Sequence, residues 1–234
     1  MRYHFPKDTR ESGIEDIGKV HKVLLRMLKI LNAICKAHNI DYWLDYGTLL
    51  GAVRHKGFIP WDHEMDIGML RGDFEKFLYV AKNDLPNDLF FQTRHTDIHY
   101  TTPSFLIEAK IRDKYSNYKQ FKDENPSAKW HNGFQIDIFV YDYDDELENC
   151  FTNSFERYYS DGKIHLKEDE IRGTVNLAFE DMYCPVPVGY DRYLKRNYND
   201  YWELPSEDQR IPPYVDVFHP CEHTEILNWS TTST

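Results

Sequence analysis

Three carboxylates alternate in Trp61-Asp62-His63-Glu64-Met65-Asp66-Ile67-Gly68-Met69, and this is the densest chemistry in the chain. In an extended backbone Asp62, Glu64 and Asp66 share one face while Met65, Ile67 and Met69 share the other. Neighbouring acids then sit roughly 7 Å apart at ~3.3 Å rise per residue. The apolar face anchors the strand, so the acidic face looks into a cleft or solvent. Like charges this close raise one another's pKa unless a cation intervenes. Oxygen-only donors suit a hard cation such as Mg²⁺ or Mn²⁺. The plainer alternative is a solvated acidic edge. An EF-hand is excluded, because the positions that need Gly and Glu, counted from Asp62, hold Ile67 and Asp73.

Gly47-Thr48 opens a second possibility. A glycine before a hydroxyl that caps a helix lets backbone approach a phosphate, and the helix N-terminus offers free N–H groups. An ordinary N-cap has the same sequence. Walker A and Gly-x-Gly-x-x-Gly are both absent. In Gln135-Ile136-Asp137-Ile138-Phe139 the apolar parity puts Asp137 with Gln135, opposite Ile136 and Ile138. A Gly-Thr helix start, an acidic strand and a later strand with one inward acid together build a phosphate clamp around metals.

Other groups extend the inventory. Lys110 and Arg112 alternate on Ile107–Asp113, where they either hold a diphosphate or decorate a solvated face; Arg54 is a similar candidate. Tyr115, Tyr118, Trp130, Tyr141 and Trp202 are aromatics that can cage a quaternary ammonium by cation–π attraction, or simply pack. Trp61 is read as packing beside the site. His219-Pro220-Cys221-Glu222-His223 has zinc-ligand types without finger spacing, which favours an incidental tail cluster.

The elements that must position these groups follow from periodicity. Ile14, Ile17, Val20, Leu24, Met27, Leu28, Leu31 and Cys35 form one helical stripe that ends at Asn39-Ile40. Asp41–Leu44 reads as a short strand, the segment from Gly47 to Arg54 as a helix capped by Thr48, and Asp62–Met69 as a strand. Phe74–Leu85 reads as a helix, and Leu89–Thr93, Ser104–Arg112 and Phe134–Val140 as strands. The acidic residues after Tyr141 are expected to open a helix, and another is expected over Tyr190–Tyr198. The result is an α+β fold, a mixed sheet flanked by helices with a mainly helical C-terminal half. One domain over 1–234 is expected, with a core at about 14–142, a helical portion at about 143–210 and an irregular tail at 211–234.

Composition narrows the function. The chain has 234 residues and a net charge of −11, so passive nucleic-acid binding is excluded for want of a basic face. With 5 Trp, 17 Tyr and 14 Phe it is too aromatic for disorder. No apolar run reaches the length of a membrane span or a signal peptide. The four cysteines are scattered, as expected for a reducing compartment. The expected location is cytoplasmic, free or peripheral at the membrane.

At this point the sequence resembles the LicD family. The resemblance is carried by Asp41–Leu44 with Gly47-Thr48-Leu49-Leu50-Gly51-Ala52-Val53-Arg54-His55, by Phe58–Gly68 and by Asn132–Phe139. It resumes at Pro185–Tyr190, Tyr193-Leu194 and Tyr198–Trp202. The resemblance implies a nucleotidyltransferase-like (polymerase-β-type) fold. It also implies a phosphotransferase that uses CDP-choline or another CDP-alcohol as donor, with ribitol phosphate transferred by fukutin-related members. The acceptor it implies is a sugar hydroxyl of a glycan or a lipid-linked precursor. It makes Glu64, Asp66 and Asp137 ligands of Mg²⁺ or Mn²⁺, with Asp62 beside them as a fourth catalytic acid. Gly47, Thr48, Arg54, Lys110 and Arg112 become the substrate-binding candidates. Glu64 stands where the family usually has Asp, His63 where many members have Asp, and Asn199 where Gly is usual. Residue chemistry alone also leaves open a nucleotidyltransferase, a metal-free glycoside hydrolase and a glycan- or partner-binding module.

Overall fold

A computed structural model describes residues 3–101, 106–160 and 164–222. In chain order the elements are α1 (Glu15–His38), β1 (Trp43–Leu44), α2 (Tyr46–Arg54), β2 (Met65–Leu70), α3 (Arg71–Asp84), β3 (Leu89–Thr93), β4 (Ala109–Asp113), α4 (Lys119–Glu124) and β5 (Gln135–Tyr143). They continue with β6 (Cys150–Asn153), α5 (Ser154–Ser160), β7 (Leu166–Lys167), β8 (Thr174–Phe179), β9 (Met182–Pro187) and α6 (Tyr190–Tyr198).

The apolar stripe read from sequence becomes α1. Val20, Leu24, Met27, Leu28, Leu31 and Cys35 are all buried along it. Asn39 ends the helix at φ +51°, a left-handed backbone that asparagine tolerates. The β-rich segments assemble one mixed sheet in the order β1-β2-β5-β4-β3. β2 runs parallel to β5, while β1, β4 and β6 are antiparallel to their neighbours. Met65, Ile67, Ile111, Ile136 and Ile138 are fully buried in the core that α1 also fills. At Gly68 a Cβ would stand 2.3 Å from the Trp43 ring, so glycine is what lets that indole lie across β2.

Three expectations need correction. The portion after Tyr143 is mixed rather than mainly helical: it carries β6, β7 and the β8–β9 hairpin beside α5 and α6. The acids expected to open a helix there form a turn instead. Buried Asp144 accepts from the N–H groups of Glu146 (2.9 Å) and Leu147 (2.8 Å) and from Thr152 Oγ1 (2.9 Å), which closes β5 onto β6. The helix after β1 is capped by Asp45, whose carboxylate accepts from Tyr46 N–H, and not by Thr48.

Candidate active site

Strand register places the chemistry. Asp66 on β2 pairs with Asp137 on β5, and Asp137 pairs with Lys110 on β4. Alternation sends their apolar neighbours into the core, so Asp66, Asp137 and Lys110 form one row across three strands on the opposite face. Lys110 Nζ lies 2.6 Å from Asp137 Oδ1. Gln135 Nε2 donates to Asp137 Oδ2 (3.1 Å) and to Glu64 Oε2 (3.0 Å), bridging two carboxylates.

Asp62 and Glu64 were expected inside the strand, but β2 begins at Met65 and both lie on the segment that enters it. A turn hydrogen bond from Asp62 N–H to the Ile59 carbonyl (2.9 Å) sets that segment. The His21 imidazole, stacked on Phe58, sits 2.7 Å from the Asp62 carbonyl. His63 packs against the Tyr118 ring at 4.4 Å, and burial pushes its pKa down to about 4.

Gly47 completes the floor. A Cβ there would stand 3.1 Å from Asp62 Oδ2, a tight approach, and 3.8 Å from Asp66 Oδ2, an ordinary contact, so the bare backbone gives the Asp62 carboxylate room. Thr48 serves the same corner from behind: its hydroxyl accepts from the Asp66 N–H at 2.8 Å and ties α2 to β2. Asp45, which sequence reasoning passed over, is fully buried and accepts from Tyr141 (2.8 Å) and Tyr193 (3.0 Å) hydroxyls. Its position just before the Gly-Thr pair was the available signal.

These acids face a cavity of about 690 Å³. Asp62, Glu64, Asp66, Asp137, Gln135, Lys110, Arg112 and Gly47 are on its walls. Aromatics flank them: Tyr118, Phe121 and Trp130 in one group, and Tyr46, Phe139, Phe155, Tyr159 and Tyr198 in another. Of the aromatics singled out from sequence, Tyr118 and Trp130 line it. Tyr141 is buried on Asp45, while Tyr115 and Trp202 are exposed elsewhere.

The candidate cations differ in placement. Arg112 is buried, donating to Gln92 Oε1 (2.5 Å) and the Gly133 carbonyl (2.7 Å), with part of its surface on the cavity. Arg54 is not on the cavity wall; it donates to the Tyr201 carbonyl at 3.0 Å. In the tail, His219 pairs with Asp216, Cys221 Sγ accepts from Asn132 N–H, and His223 lies outside the described residues.

Electrostatically the floor is crowded. Burial, then the Glu64 charge, pushes Asp62 up to about 7. Burial pushes Asp66 well above the carboxylate range, with Glu64, Asp137 and Asp62 adding to it. Burial also raises Asp137, while Lys110 and Arg112 oppose that rise.

Among the described residues no three His, Cys, Asp or Glu side chains gather closely enough to hold a metal as they stand. Lys110 and Gln135 hydrogen-bond both oxygens of Asp137 and one of Glu64. The donor set nevertheless fits a hard cation, since it offers only carboxylate oxygens and carries excess negative charge in a buried place. No described helix is long and apolar enough to cross a membrane.

A mixed sheet flanked by helices, with acids on adjacent parallel strands and a glycine-bearing helix start beside them, is a nucleotidyltransferase-like arrangement. The chain belongs to the LicD/FKTN/FKRP family, whose nucleotidyltransferase-domain model matches residues 39–188. It is 32% identical over 121 residues to the lipopolysaccharide cholinephosphotransferase LicD of Haemophilus influenzae, covering 51% of this chain and 42% of that protein. It is 45% identical over 169 residues to an uncharacterized protein of Rickettsia prowazekii, covering 64% and 62%. A shorter match, 36% over 52 residues, joins it to the ribitol 5-phosphate transferase FKRP of Homo sapiens, covering 22% of this chain and 10% of that protein. The matches therefore span less than two thirds of each of these relatives.

Proposed function

We propose that this chain is a phosphotransferase that moves phosphocholine from CDP-choline to a sugar hydroxyl of a glycan or its lipid-linked precursor. The observation that carries the reading is the row Asp66, Asp137, Lys110, which faces an aromatic-flanked cavity. Lys110 and the Arg112 surface supply positive charge for a diphosphate. Glu64, Asp66 and Asp137 would hold Mg²⁺ or Mn²⁺, which when bound neutralises charge on the diphosphate and the departing CMP. The acceptor oxygen bonds to the phosphorus that carries choline. The bond from that phosphorus to the CMP oxygen breaks, and CMP leaves with the electron pair. A carboxylate of the cluster takes the acceptor's proton.

The aromatic side chains on the walls support choline as the alcohol carried. A quaternary ammonium needs only ring faces and nearby negative charge.

A thermal-shift panel of CDP-choline, CDP-ribitol, CDP-glycerol and CDP-ethanolamine with Mg²⁺ or Mn²⁺ tests the donor, because a bound ligand raises apparent stability. CDP-choline should give the largest shift and release CMP on turnover. Pyrophosphate release from CTP would instead establish a nucleotidyltransferase, and turnover insensitive to EDTA would remove the metal.

A further inference from the structure

Tyr46 is the first residue of α2 and has φ +40°. It is the one aromatic side chain among the described residues with a left-handed backbone, a conformation bulky residues rarely adopt. Such a residue persists only where its surroundings over-determine it. Here the turn has a direct consequence, because the next residue is Gly47, whose Cβ direction points at Asp62 Oδ2 (3.1 Å from where a Cβ would stand) and, less closely, at Asp66 Oδ2 (3.8 Å). The direction in which Tyr46 leaves Asp45 therefore sets how close Gly47 comes to the two acids.

Tyr46 is held at both ends. Its N–H donates to Asp45 Oδ1 at 2.9 Å. Its ring lies against Phe139 at 4.5 Å between centroids. Its hydroxyl donates to Glu156 Oε1 at 2.8 Å and accepts from Asn153 Nδ2 at 2.9 Å. Glu156 sits on α5, 110 positions along the chain, and is 3% exposed. Its other oxygen accepts from Ser160 Oγ at 2.7 Å, and its own N–H donates to Asn153 Oδ1 at 3.0 Å. Glu156 is not on the cavity wall, so it meets neither donor nor acceptor.

We propose that Glu156 is a positioning residue: by fixing the Tyr46 hydroxyl it fixes the left-handed turn that seats Gly47 beside Asp62 and Asp66, and so sets the spacing of the acids. The proposal rests on the reading that these acids hold a divalent cation. Groups that orient a metal's ligands typically alter its affinity by about 10–100-fold when removed.

The test uses Mn²⁺ alone, titrated calorimetrically into the whole chain and into the variants Tyr46→Phe, Glu156→Ala and Glu156→Gln, with a melting temperature for each. Tyr46→Phe and Glu156→Ala should bind Mn²⁺ about 10-fold more weakly. Glu156→Gln keeps an oxygen that accepts from the Tyr46 hydroxyl, so it should stay within about twofold of the parent. In CMP-release assays the two disruptive variants should lower kcat with little change in the KM for CDP-choline. Should Glu156→Ala fail to fold, Tyr46→Phe carries the test. A lower melting temperature with parent-like Mn²⁺ binding in Tyr46→Phe assigns the network a purely structural role and overturns the proposal. Glu156→Gln as weak as Glu156→Ala also overturns it, since charge rather than geometry would then matter. A parent that binds no Mn²⁺ overturns the metal reading, and this proposal with it.

Discussion

The sheet face that carries Asp66, Asp137 and Lys110 and the 114–134 excursion that carries Tyr118, Phe121 and Trp130 bound the same cavity, but different forces hold them. The floor is fixed by continuous strand register and by isoleucines buried beneath it. The excursion contains only the six-residue α4, which buries none of its residues. Distant chain pins it instead. Asn117 bridges Asp216, Gln120 N–H donates to the Tyr214 carbonyl, and Tyr214 donates its hydroxyl to Asp123. Arg10 donates to the Tyr115 and Val217 carbonyls and pairs with Asp113 at 2.7 Å. The acids proposed to hold a cation sit on the floor; the aromatics proposed to offer ring faces sit on the wall.

Four measurements press on that contrast. Asp66→Asn should lower turnover by about three orders of magnitude, since a cation held there, as proposed, would supply several kcal/mol of charge stabilisation in the transition state. Its melting temperature should stay level or rise, because carboxylate repulsion is relieved. Near-parent activity at saturating Mn²⁺ would break the floor's assignment.

Arg10→Ala strikes the wall. It leaves Asp113, whose side chain is fully buried, without its cation, at a cost of about 3–5 kcal/mol. Urea unfolding should register that loss. The KM for CDP-choline should rise with it while the Asp66–Asp137 row remains in place. A donor KM unchanged from the parent would show that the wall does not depend on its clasp.

Trp130→Ala is a finer cut. Cation–π contacts worth about 0.5–2 kcal/mol predict a donor KM raised by roughly 2–30-fold for CDP-choline, with inhibition by CMP little changed. An equal loss for CDP-ribitol would assign Trp130 to the nucleotide instead.

The smallest effect concerns pH. Burial alone would raise Asp216, but hydrogen bonds from His219 and Lys119 and from the Phe218 and His219 N–H groups outweigh it and hold the carboxyl well below its usual 3.8. A depressed folded pKa contributes stability that is present above the unfolded value and lost as pH falls through the folded one. The tail's grip should therefore hold from pH 7 to 5 and weaken only below about 4. NMR shifts of the Asn117 and Gln120 amides would register it; loosening near pH 6 would contradict the assignment.

Much of the floor was legible because two periodicities coincide there. Ile136 and Ile138 fix the side on which Asp137 lies, and one apolar stripe delimits α1. Alternation could not say where β2 begins. Asp62 shares parity with Asp66, yet it belongs to a turn closed by the Ile59 carbonyl. Thr48 and Asp45 both have capping chemistry, and only the register against Asp66 decides which one caps. The wall was hardly legible. Tyr118 and Trp130 were named among five aromatics, but nothing local separates them from Tyr141, whose hydroxyl serves Asp45 in the core. Contacts across about a hundred positions, such as Asn117 with Asp216, leave no periodic trace.

The Arg10 clasp also orders events in time. Its bond to the Val217 carbonyl joins residues 207 positions apart. A chain emerging from the ribosome at about 5–20 residues per second has every strand of the acidic floor, through Tyr143, in hand several seconds before Val217 is made. The nascent protein thus passes through an interval in which β2, β4 and β5 can pair while the aromatic excursion still lacks its fastening. During that interval Tyr118, Phe121 and Trp130 sit on a segment without the contacts that fasten it in the finished protein.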